Sequence, residues 1–393
     1  MAATHAQLAG SDYRDPPPFR ANAAGQELVF YPGGEDRLAA LFRLVDDARE
    51  RLDVCFYIFA QDDVSTRFRD KLCEAARRGV AVTLIIDRFG AAATDAFLQP
   101  LVECGGRFLC FSARWSRRYL IRNHQKIVIA DDRRAMFGGF NIADDYFAPP
   151  GQGGWNDLAI VIEGSAVAGL VDWFARLKGW TEDEHAQFRA IRRAVRHWSW
   201  REGDARWLIG GPTRGLSSWA KDISDDLEQG ERLDIFMAYF APPKKLRRRI
   251  GRIAEKGRTR LLMAGKSDNR ATIGAARALY GELLDHGACI WEFEPCKLHT
   301  KLIVLDDAVY LGSANFDMRS LFLNLELVLK IEDAALADRM REFVSHHLTA
   351  SERITPELHA SRATLFNRMR WWAGWLLVSV VDYTVSRRLN LGI

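Results

Sequence analysis

The chain has 393 residues, of which 48% are hydrophobic, so it can bury a large core and is long enough for two domains. Its 55 lysines and arginines against 51 aspartates and glutamates leave a net charge of only +4, which excludes a protein that holds nucleic acid through bulk charge. The six cysteines form no C-x-x-C pair, which argues against a zinc site and a disulfide framework and is typical of a reducing compartment.

The two ends of the chain carry the first predictions. Residues 1–24 are rich in proline and alanine and lack a signal peptide pattern, so we expect a flexible lead-in and a cytoplasmic protein. No segment reaches the roughly 18 to 20 apolar residues that span a bilayer. The nearest, "WWAGWLLVSVV" from Trp371 to Val381, has arginines on both sides. It suits either a helix in the membrane interface or one packed on the protein's own core.

Three blocks of sequence occur twice and in the same order. The segment "EAARRGVAVTLIID" returns as "RIAEKGRTRLLMAG", and "LVECGGRFLCF" returns as "LLDHGACIWEF". The third block is "NHQKIVIADDRRAMFGGFN", residues 123–141, which is echoed by "LHTKLIVLDDAVYLGSAN", residues 298–315. Repetition of whole blocks indicates a duplicated domain.

Each half reads as strands that alternate with amphipathic helices, which predicts an α/β fold. We expect two tandem domains related by a pseudo-two-fold axis, each a mixed β-sheet flanked by helices. The first covers residues 25–200 and includes a helical connector, and the second covers residues 201–345. A helical, amphipathic tail over residues 346–393 follows.

Both copies of the third block place a histidine and a lysine two positions apart: His124 with Lys126, and His299 with Lys301. Alternate side chains of an extended strand share a face, so each copy presents an imidazole beside an ammonium group. A neutral imidazole can attack phosphorus, while a protonated imidazole opposite it can donate a proton to the leaving oxygen. The pair of motifs therefore indicates chemistry on a phosphodiester.

Two pairs of acids follow the histidines. Asp131 and Asp306 lie seven positions on, roughly 20 Å along a strand, so we expect them to stabilise the hairpin turns rather than orient an imidazole. Asp157 follows the first motif and Glu326 follows the second, at similar distances along the chain. We expect each of these two acids to fix the tautomer of the histidine in its own half.

The hairpins return to "GGFN" and "GSAN", where small residues let the backbone approach a ligand. Asn141 and Asn315 can donate hydrogen bonds to an anionic oxygen, and we expect Gly138 and Ser313 beside them in the phosphate site.

The two H-x-K-x4-D motifs, each followed by a glycine turn and Asn, resemble the phospholipase D superfamily. The pattern from about residue 28 to residue 343, including "FYIFAQDD", "AYFAPP" and "NFDMRSLFLNLE", is similar to the bacterial cardiolipin synthases. The resemblance implies one active site shared by two domains, a covalent phosphohistidine intermediate, and no metal or cofactor. It implies His124 as the nucleophile and His299 as the general acid, and it counts the motif acids Asp131 and Asp306 in the catalytic set. It also places the two lysines and the two asparagines on the phosphate.

Synthases of this kind transfer a phosphatidyl group to phosphatidylglycerol, so the resemblance implies phosphatidylglycerol, with or without phosphatidylethanolamine, as substrate. Longer members carry two N-terminal membrane spans, which this sequence lacks. The basic segments "PPKKLRRRIGRIAEKGRTR" and "RWSRRYLIRNH" suit either anionic lipid or a solvated helix face. We therefore expect peripheral attachment to the inner face of the cell membrane, through the basic patches and the tail.

Three alternatives remain open. A phospholipase D would pass the phosphatidyl group to water. A nuclease of the same superfamily would act on nucleic acid, a partner that the near-neutral charge and the tryptophan-rich tail disfavour. A non-catalytic binding module is disfavoured because both motifs are intact.

Overall fold

The computed structural model describes residues 13–111, 121–183, 188–213 and 215–381. Parts of three predictions lie outside these ranges: residues 1–12 of the lead-in, most of the basic segment before the first motif, and the arginines at positions 387 and 388.

The first half of the chain forms a mixed sheet covered on its outer face by helices. Its strands are β1 (Phe19–Ala23), β2 (Gln26–Tyr31), β3 (Arg51–Phe56), β4 (Ala81–Asp87), β5 (Arg107–Phe111), β6 (Ile127–Ala130), β7 (Arg134–Gly138) and β8 (Ala159–Glu163). Its helices are α1 (Gly34–Asp47), α2 (Asp63–Arg77) and α3 (Asp95–Glu103), and the connector contains α4 (Ala166–Glu182) and α5 (Phe188–His197). The strand order is β1-β2-β8-β7-β6-β3-β4-β5, with β3, β4 and β5 parallel.

The second half repeats this arrangement. Its strands are β9 (Trp200–Glu202), β10 (Ala205–Gly210), β11 (Leu233–Met237), β12 (Phe240–Ala241), β13 (Thr259–Ala264), β14 (Cys289–Phe293), β15 (Lys301–Leu305), β16 (Ala308–Gly312), β17 (Phe316–Asp317), β18 (Glu326–Glu332) and β19 (Ser351–Ile354). Its helices are α6 (Ser218–Gln229), α7 (Lys244–Glu255), α8 (Arg270–Asp285), α9 (Met318–Phe322), α10 (Ala334–Leu348), α11 (Pro356–Arg362) and α12 (Leu365–Trp375). A π-helical turn, Leu376–Val381, continues α12.

The two sheets have the same strand order. From its β5 edge the first sheet runs β5-β4-β3-β6-β7-β8-β2-β1, and the second runs β14-β13-β11-β15-β16-β18-β10-β9, with β19 added beside β14. Every strand of the first sheet has a counterpart in the second, so the predicted α/β fold with two duplicated, mixed sheets is confirmed. We propose that the domain boundary lies near residue 200, where β9 begins the second sheet.

One apolar core lies between the two sheets. Phe137 on β7 and Trp207 on β10 meet edge to face across it, with ring centroids 5.0 Å apart, and α4 and α10 pack into the same core. The outer face of the first sheet is buried under α1, α2 and α3, and that of the second under α6, α7 and α8. Because both inner faces are apolar, the sheets are held together by burial of hydrophobic surface, and this fixes the two histidine segments relative to each other.

The C-terminal segment is only partly the helical tail that the sequence predicted. Residues 351–354 form the edge strand β19. Each of its four residues pairs with a residue of β14, in antiparallel orientation. Beyond it α12 packs along α8, where Trp371 and Gly374 are buried. Within the described part of the chain, no helix combines the length and the apolar character needed to cross a bilayer.

Two arginines of the basic segment on α7 are buried in ion pairs within the protein. Arg247 is buried and binds Glu282 at 3.1 Å, and the buried Arg249 binds Glu228, which also contacts Arg252 at 2.9 Å. Arg247 and Arg249 are thus held inside the protein and do not face anionic lipid. A lipid contact by Arg252 and the other exposed bases of this segment stays a prediction.

Candidate active site

Two short backbone pairings join the two domains beside the motif histidines. In one, the His124 N–H donates to the Leu325 carbonyl at 2.9 Å. In the other, the His299 N–H donates to the Asn156 carbonyl at 2.7 Å. Both pairings are parallel, with Asn123 opposite Leu325 and Asn156 opposite Leu298. In each of them one domain contributes the residue before its histidine and the other domain contributes the residue before its acid.

This register places each histidine beside the acid of the other domain. His124 Nδ1 lies 3.0 Å from Glu326 Oε2, and His299 Nδ1 lies 2.6 Å from Asp157 Oδ2. All four side chains are buried. The prediction that Asp157 serves His124 and Glu326 serves His299 is therefore wrong.

The sheet order explains the exchange. Asp157 stands just before β8, and in its own sheet β8 is separated from β6 by β7. Two strand spacings amount to about 9.6 Å, too far for an acid in the same sheet to reach its own histidine. The same holds for Glu326 at the start of β18, which β16 separates from β15. The shorter route in each case runs across the domain interface.

Glu326 is held as a carboxylate by donors of its own domain. It accepts hydrogen bonds from Ser313 Oγ at 2.5 Å, Ser320 Oγ at 2.9 Å and Asn324 Nδ2 at 3.3 Å. Burial raises the pKa of Glu326, but the contacts with His124, Lys126 and Ser313 outweigh it and leave the pKa below its usual value. Ser313 therefore binds this carboxylate, and its predicted contact with phosphate stays a prediction.

Asp157 is held by the backbone around it. Its Oδ1 accepts from the N–H of Leu158 at 2.8 Å. Arg37, which is fully buried, donates to the Asp157 carbonyl at 2.6 Å and to the Tyr146 carbonyl at 2.6 Å. Burial raises the pKa of Asp157, whereas His299, Lys301 and Arg37 lower it below its usual value. Sequence reasoning missed Arg37, because an arginine on an amphipathic helix reads as a surface residue.

Burial disfavours the protonated form of both imidazoles. Burial lowers the pKa of His124 to about 4, against the opposing influence of Glu326. Burial and the Lys301 ammonium lower the pKa of His299 to about 4, against that of Asp157. Because the acid of each pair is on Nδ1, the proton of each neutral ring is on Nδ1 and the lone pair is on Nε2. The site therefore contains two imidazoles whose Nε2 atoms are available for chemistry.

The two motif lysines are buried with the histidines. Lys126 Nζ donates to the His124 carbonyl, and Lys301 Nζ donates to the His299 carbonyl and lies 3.0 Å from His299 Nδ1. Burial lowers the pKa of Lys126 to about 7 and that of Lys301 to about 8, although the site acids raise both. The two lysine amines thus stand beside the two imidazoles, where an anionic oxygen would favour their charged forms.

The other predicted phosphate residues are also buried. The Asn141 amide is bound at both ends, since Oδ1 accepts from the Ile58 N–H at 3.0 Å and Nδ2 donates to the Tyr146 hydroxyl at 2.9 Å. Asn315 Oδ1 has no hydrogen-bond partner among the described residues. A phosphate contact by either amide stays a prediction.

Gly138 lies where two backbone segments of the first domain approach each other closely. Its φ is +157°, and a Cβ at this position would lie 2.3 Å from the Leu158 carbonyl oxygen. The glycine is therefore required for the close approach of the segment that carries Asp157, and its place beside the phosphate stays a prediction. Gly312 repeats this in the second domain, with a φ of +156° and the Leu327 carbonyl oxygen 2.1 Å from the same position.

The motif acids stabilise the hairpin turns. Asp131 accepts from the backbone N–H groups of residues 49, 50 and 51, at 2.9, 2.7 and 2.9 Å, and Asp306 accepts from those of residues 231 and 232, at 3.1 and 2.8 Å. Both have positive φ angles, 52° and 50°. Among the described residues neither carboxylate contacts a motif histidine. The resemblance counts Asp131 and Asp306 in the catalytic set, but their carboxylates stabilise the hairpin turns, as the strand geometry predicted.

Aromatic side chains, which the sequence reasoning did not select, line the histidines. The Tyr57 ring centroid is 4.9 Å from that of His124, and Tyr146 and Trp155 lie 5.1 and 5.3 Å from His299. Lys126 and Lys297 sit over the Tyr57 and Trp155 rings, at 5.3 and 5.1 Å. Tyr57 belongs to "FYIFAQDD" and Trp155 is two residues before Asp157, so proximity to the motifs was the available signal.

A group of three acids could hold a metal ion, but it lies elsewhere. Ligand oxygens of Glu292, Glu294 and Glu352, at β14 and β19, fall within 4.8 Å of one another. Arg277 already binds Glu292 through two contacts of 2.7 and 2.6 Å, and Arg362 binds Glu352 at 2.7 Å. These arginines neutralise the cluster, and we assign it no function.

Comparisons with known proteins place the chain in a family. The sequence matches the family described as "Cardiolipin synthase, PLD-like domain" over residues 41–178 and 223–348. It is 28% identical to cardiolipin synthase A of Pseudomonas entomophila (strain L48), across 85% of this chain and 71% of the relative. It is 29% identical to cardiolipin synthase 2 of Bacillus anthracis, across 84% of this chain and 65% of the relative.

Solved structures share the fold. Phosphatidylserine synthase from Haemophilus influenzae Rd KW20 superimposes with a TM-score of 0.70 at 15% identity, over 93% of this chain and 97% of that one. Polyphosphate kinase from Porphyromonas gingivalis superimposes with a TM-score of 0.59 at 14% identity, over 86% of this chain and 49% of that one. The match over two thirds of the sequence decides the family: the chain belongs to the phospholipase D superfamily, as a cardiolipin synthase-like phosphatidyltransferase with two phospholipase D-like domains.

Proposed function

We propose that this protein is a cardiolipin synthase, which transfers a phosphatidyl group from a phospholipid to phosphatidylglycerol through a phosphohistidine. The observation that carries the proposal is the pair of buried imidazoles, each with Nδ1 on the acid of the opposite domain and with Nε2 available. Relatives at 28 to 29% identity that carry the name cardiolipin synthase support the choice of substrate.

In the first step of this mechanism the lone pair on Nε2 of neutral His124 attacks the phosphorus of the donor diester. His299 acts here in its doubly protonated form, which the bound anionic diester favours. The bond from phosphorus to the headgroup oxygen breaks, and that oxygen takes the proton from Nε2 of His299. Lys126 and Lys301 compensate the charge that develops on the non-bridging oxygens.

In the second step a hydroxyl of phosphatidylglycerol passes its proton to Nε2 of His299 and attacks the phosphorus. The bond from phosphorus to His124 Nε2 breaks, and cardiolipin leaves. Water in place of the lipid hydroxyl would give phosphatidic acid. The transferase therefore needs a site that admits a lipid hydroxyl in preference to water.

The surroundings of the two imidazoles support this division of roles. Tyr239 donates to Asp268 at 2.7 Å, and the Tyr239 ring lies 6.4 Å from His299. Burial raises the pKa of Asp268, but Tyr239, Ser267 and His299 lower it more. Because such coupling is mutual, Asp268 favours the protonated form of His299, as an acid requires. An anionic diester between the rings raises the pKa of His299 further.

One lipid experiment tests the reaction. Purified protein is incubated with phosphatidylglycerol alone, or with phosphatidylethanolamine added, and the products are identified by mass spectrometry. Cardiolipin is expected, and its donor follows from which headgroup alcohol is released. Phosphatidic acid without cardiolipin would replace the synthase by a phospholipase D.

A trapping experiment tests the roles. Denatured His299→Ala protein is expected to retain radiolabelled phosphatidyl group, because the intermediate forms slowly but is not resolved, whereas His124→Ala retains none. His286→Ala is the matched control, since His286 forms a similar contact of 2.7 Å with Glu255 on the surface. Label retained by His124→Ala instead would exchange the two roles.

A further inference from the structure

The outer face of α12 is a continuous apolar surface. Its residues recur with helical spacing and are largely exposed: Leu365 is 79% exposed, Phe366 74%, Met369 65%, Trp372 49%, Leu376 49% and Leu377 54%. We call these six residues the outer stripe. Exposed apolar side chains are ordinary when scattered, but a contiguous row of them marks an interaction site.

The opposite face of the same helix fixes α12 to the second domain. Trp371 is buried against α8 and stacks on His359, with ring centroids 5.4 Å apart. A Cβ on Gly374 would lie 2.8 Å from the Ala271 carbonyl oxygen, so only glycine permits this approach of the two helices. Both alternatives from the sequence therefore apply to one helix, which packs on the protein with one face and leaves the other uncovered.

The charges around the outer stripe indicate which kind of partner binds it. Arg368 and Arg370 are exposed and fall on either side of the apolar row. From residue 358 to residue 381 the sequence has no acidic residue. This combination of tryptophan, phenylalanine and leucine flanked by arginines is that of a helix lying in a bilayer interface, where arginines meet lipid phosphates.

A second copy of the chain would fit this face poorly. A symmetric dimer brings the same patch against itself, so the stripe of one copy would lie on the stripe of the other. The arginines at its borders would then face arginines, and juxtaposed like charges oppose association. Anionic lipid is the occupant that satisfies both the apolar row and its cationic borders.

Helix α12 packs on elements that border the active site. The helix packs on the N-terminal end of α8 near Ala271, three residues after Asp268, which accepts from Tyr239 beside His299. The π-helical turn after α12 packs on α9, whose Ser320 donates to Glu326. A bilayer on the outer stripe would therefore lie beside the elements that border the active site.

We propose that the outer stripe of α12 is an in-plane anchor that inserts into one leaflet and holds the second domain, with the active site, against the lipid surface. The anchor deepens the proposed function, because it supplies the enzyme with lipid substrate. Binding to a bilayer requires no turnover, so it can be measured separately.

The test compares a triple variant, Phe366→Gln, Met369→Gln and Trp372→Gln, with the control Val102→Gln and Leu216→Gln. The control residues are 46% and 48% exposed and lie outside the stripe. Sedimentation with vesicles of phosphatidylcholine, with and without phosphatidylglycerol, gives the partition coefficient. We expect the triple variant to lose at least about tenfold in partition on both vesicles, because three apolar side chains no longer enter the leaflet, and the control to bind as the parent does.

Activity gives a second readout. On a short-chain phospholipid dispersed as monomers the triple variant should match the parent, and on vesicles it should lose activity in proportion to binding. Unchanged vesicle binding by the triple variant would overturn the anchor, as would light scattering that shows a parent dimer converted to monomers. Absence of turnover on every phospholipid, with the sedimentation difference intact, would overturn the proposed function and leave the anchor standing.

Discussion

The exchange of acids between the domains can be tested by changing one acid at a time. Glu326→Gln and Asp157→Asn keep the size of each side chain but remove the charge that fixes the Nδ1–H tautomer of its partner. With charge centres about 4 Å apart and an effective dielectric constant of about 20, the carboxylate contributes about 4 kcal/mol to an imidazolium-like transition state. This corresponds to a loss of about 10³-fold in rate for each variant.

The assay distinguishes the roles of the two histidines by comparing substrates with different leaving groups. An activated diester with a p-nitrophenyl leaving group needs no protonation of the leaving oxygen, whereas a natural headgroup does. Loss of the acid partner of His299 should therefore cost little in the burst of p-nitrophenol and about 10³-fold with the natural headgroup. Loss of the partner of His124, the nucleophile, should cost the same with both substrates.

The structure predicts that Asp157→Asn behaves like His299→Ala and that Glu326→Gln behaves like His124→Ala. The burst with the activated diester should survive in the first pair and disappear in the second. Glu255→Gln, which removes the acid of a surface histidine contact of 2.7 Å, should change neither. If Asp157→Asn abolished the burst while Glu326→Gln preserved it, the cross-domain pairing would be refuted.

Three further predictions follow from charges and contacts. With the activated diester, which needs no proton from His299, the pH profile of kcat/KM should fall below about pH 4, as His124 takes up a proton and cannot attack. It should also fall above about pH 7 to 8, as Lys126 and Lys301 lose their charge. Arg37→Met should lower the unfolding free energy by about 3 kcal/mol in urea titration, because it leaves buried carbonyls without donors, and should also lower kcat by displacing the Asp157 segment. Asp131→Asn should lower the unfolding free energy by about 1 to 2 kcal/mol and leave kcat unchanged, since its carboxylate binds only the hairpin turn.

Each of these has a control and an opposing outcome. The alkaline limb should move upward in Lys301→Arg, whose guanidinium stays charged, and a limb that stays in place would exclude the lysine as its cause. Arg67→Met removes an exposed pair with Asp63 and should change stability by less than about 0.5 kcal/mol. An equal effect of both arginine variants would contradict the role of Arg37.

The sign of the pH dependence provides the check on Asp131. Burial raises its pKa, but the three backbone N–H groups lower it below the usual value. A carboxyl with a lowered pKa stabilises the fold above its unfolded pKa, and the contribution disappears as the pH falls through the folded value. The stability difference between parent and Asp131→Asn should therefore vanish in strong acid, and a difference that persisted there would contradict the assignment.

Local pattern and repetition were enough to predict the fold. Strands and helices follow from apolar periodicity within each segment, and the repeated blocks required the two halves to share one strand order. The site residues followed from the same repetition. Arg37 did not, because its contacts involve carbonyls brought near by packing and leave no pattern in the sequence. Tyr57 lies in a segment that the resemblance covers, but its contact with the His124 ring arises from packing and was not predicted.

The pairing of acids and histidines was the wrong prediction, and its cause is geometric. Spacing along the chain assigns Asp157 to His124 and Glu326 to His299, because each acid follows its own motif at a similar distance. Spacing along the chain says little about distance in a sheet. Residues on two strands that are separated by a third strand lie about 9.6 Å apart. In each half the histidine precedes the first strand of a hairpin, and the acid lies at or just before the start of the strand that pairs with the second strand of that hairpin. This order alone implies the separation. An acid there can serve only a histidine that approaches from outside its own sheet, and in a duplicated protein the other domain supplies one.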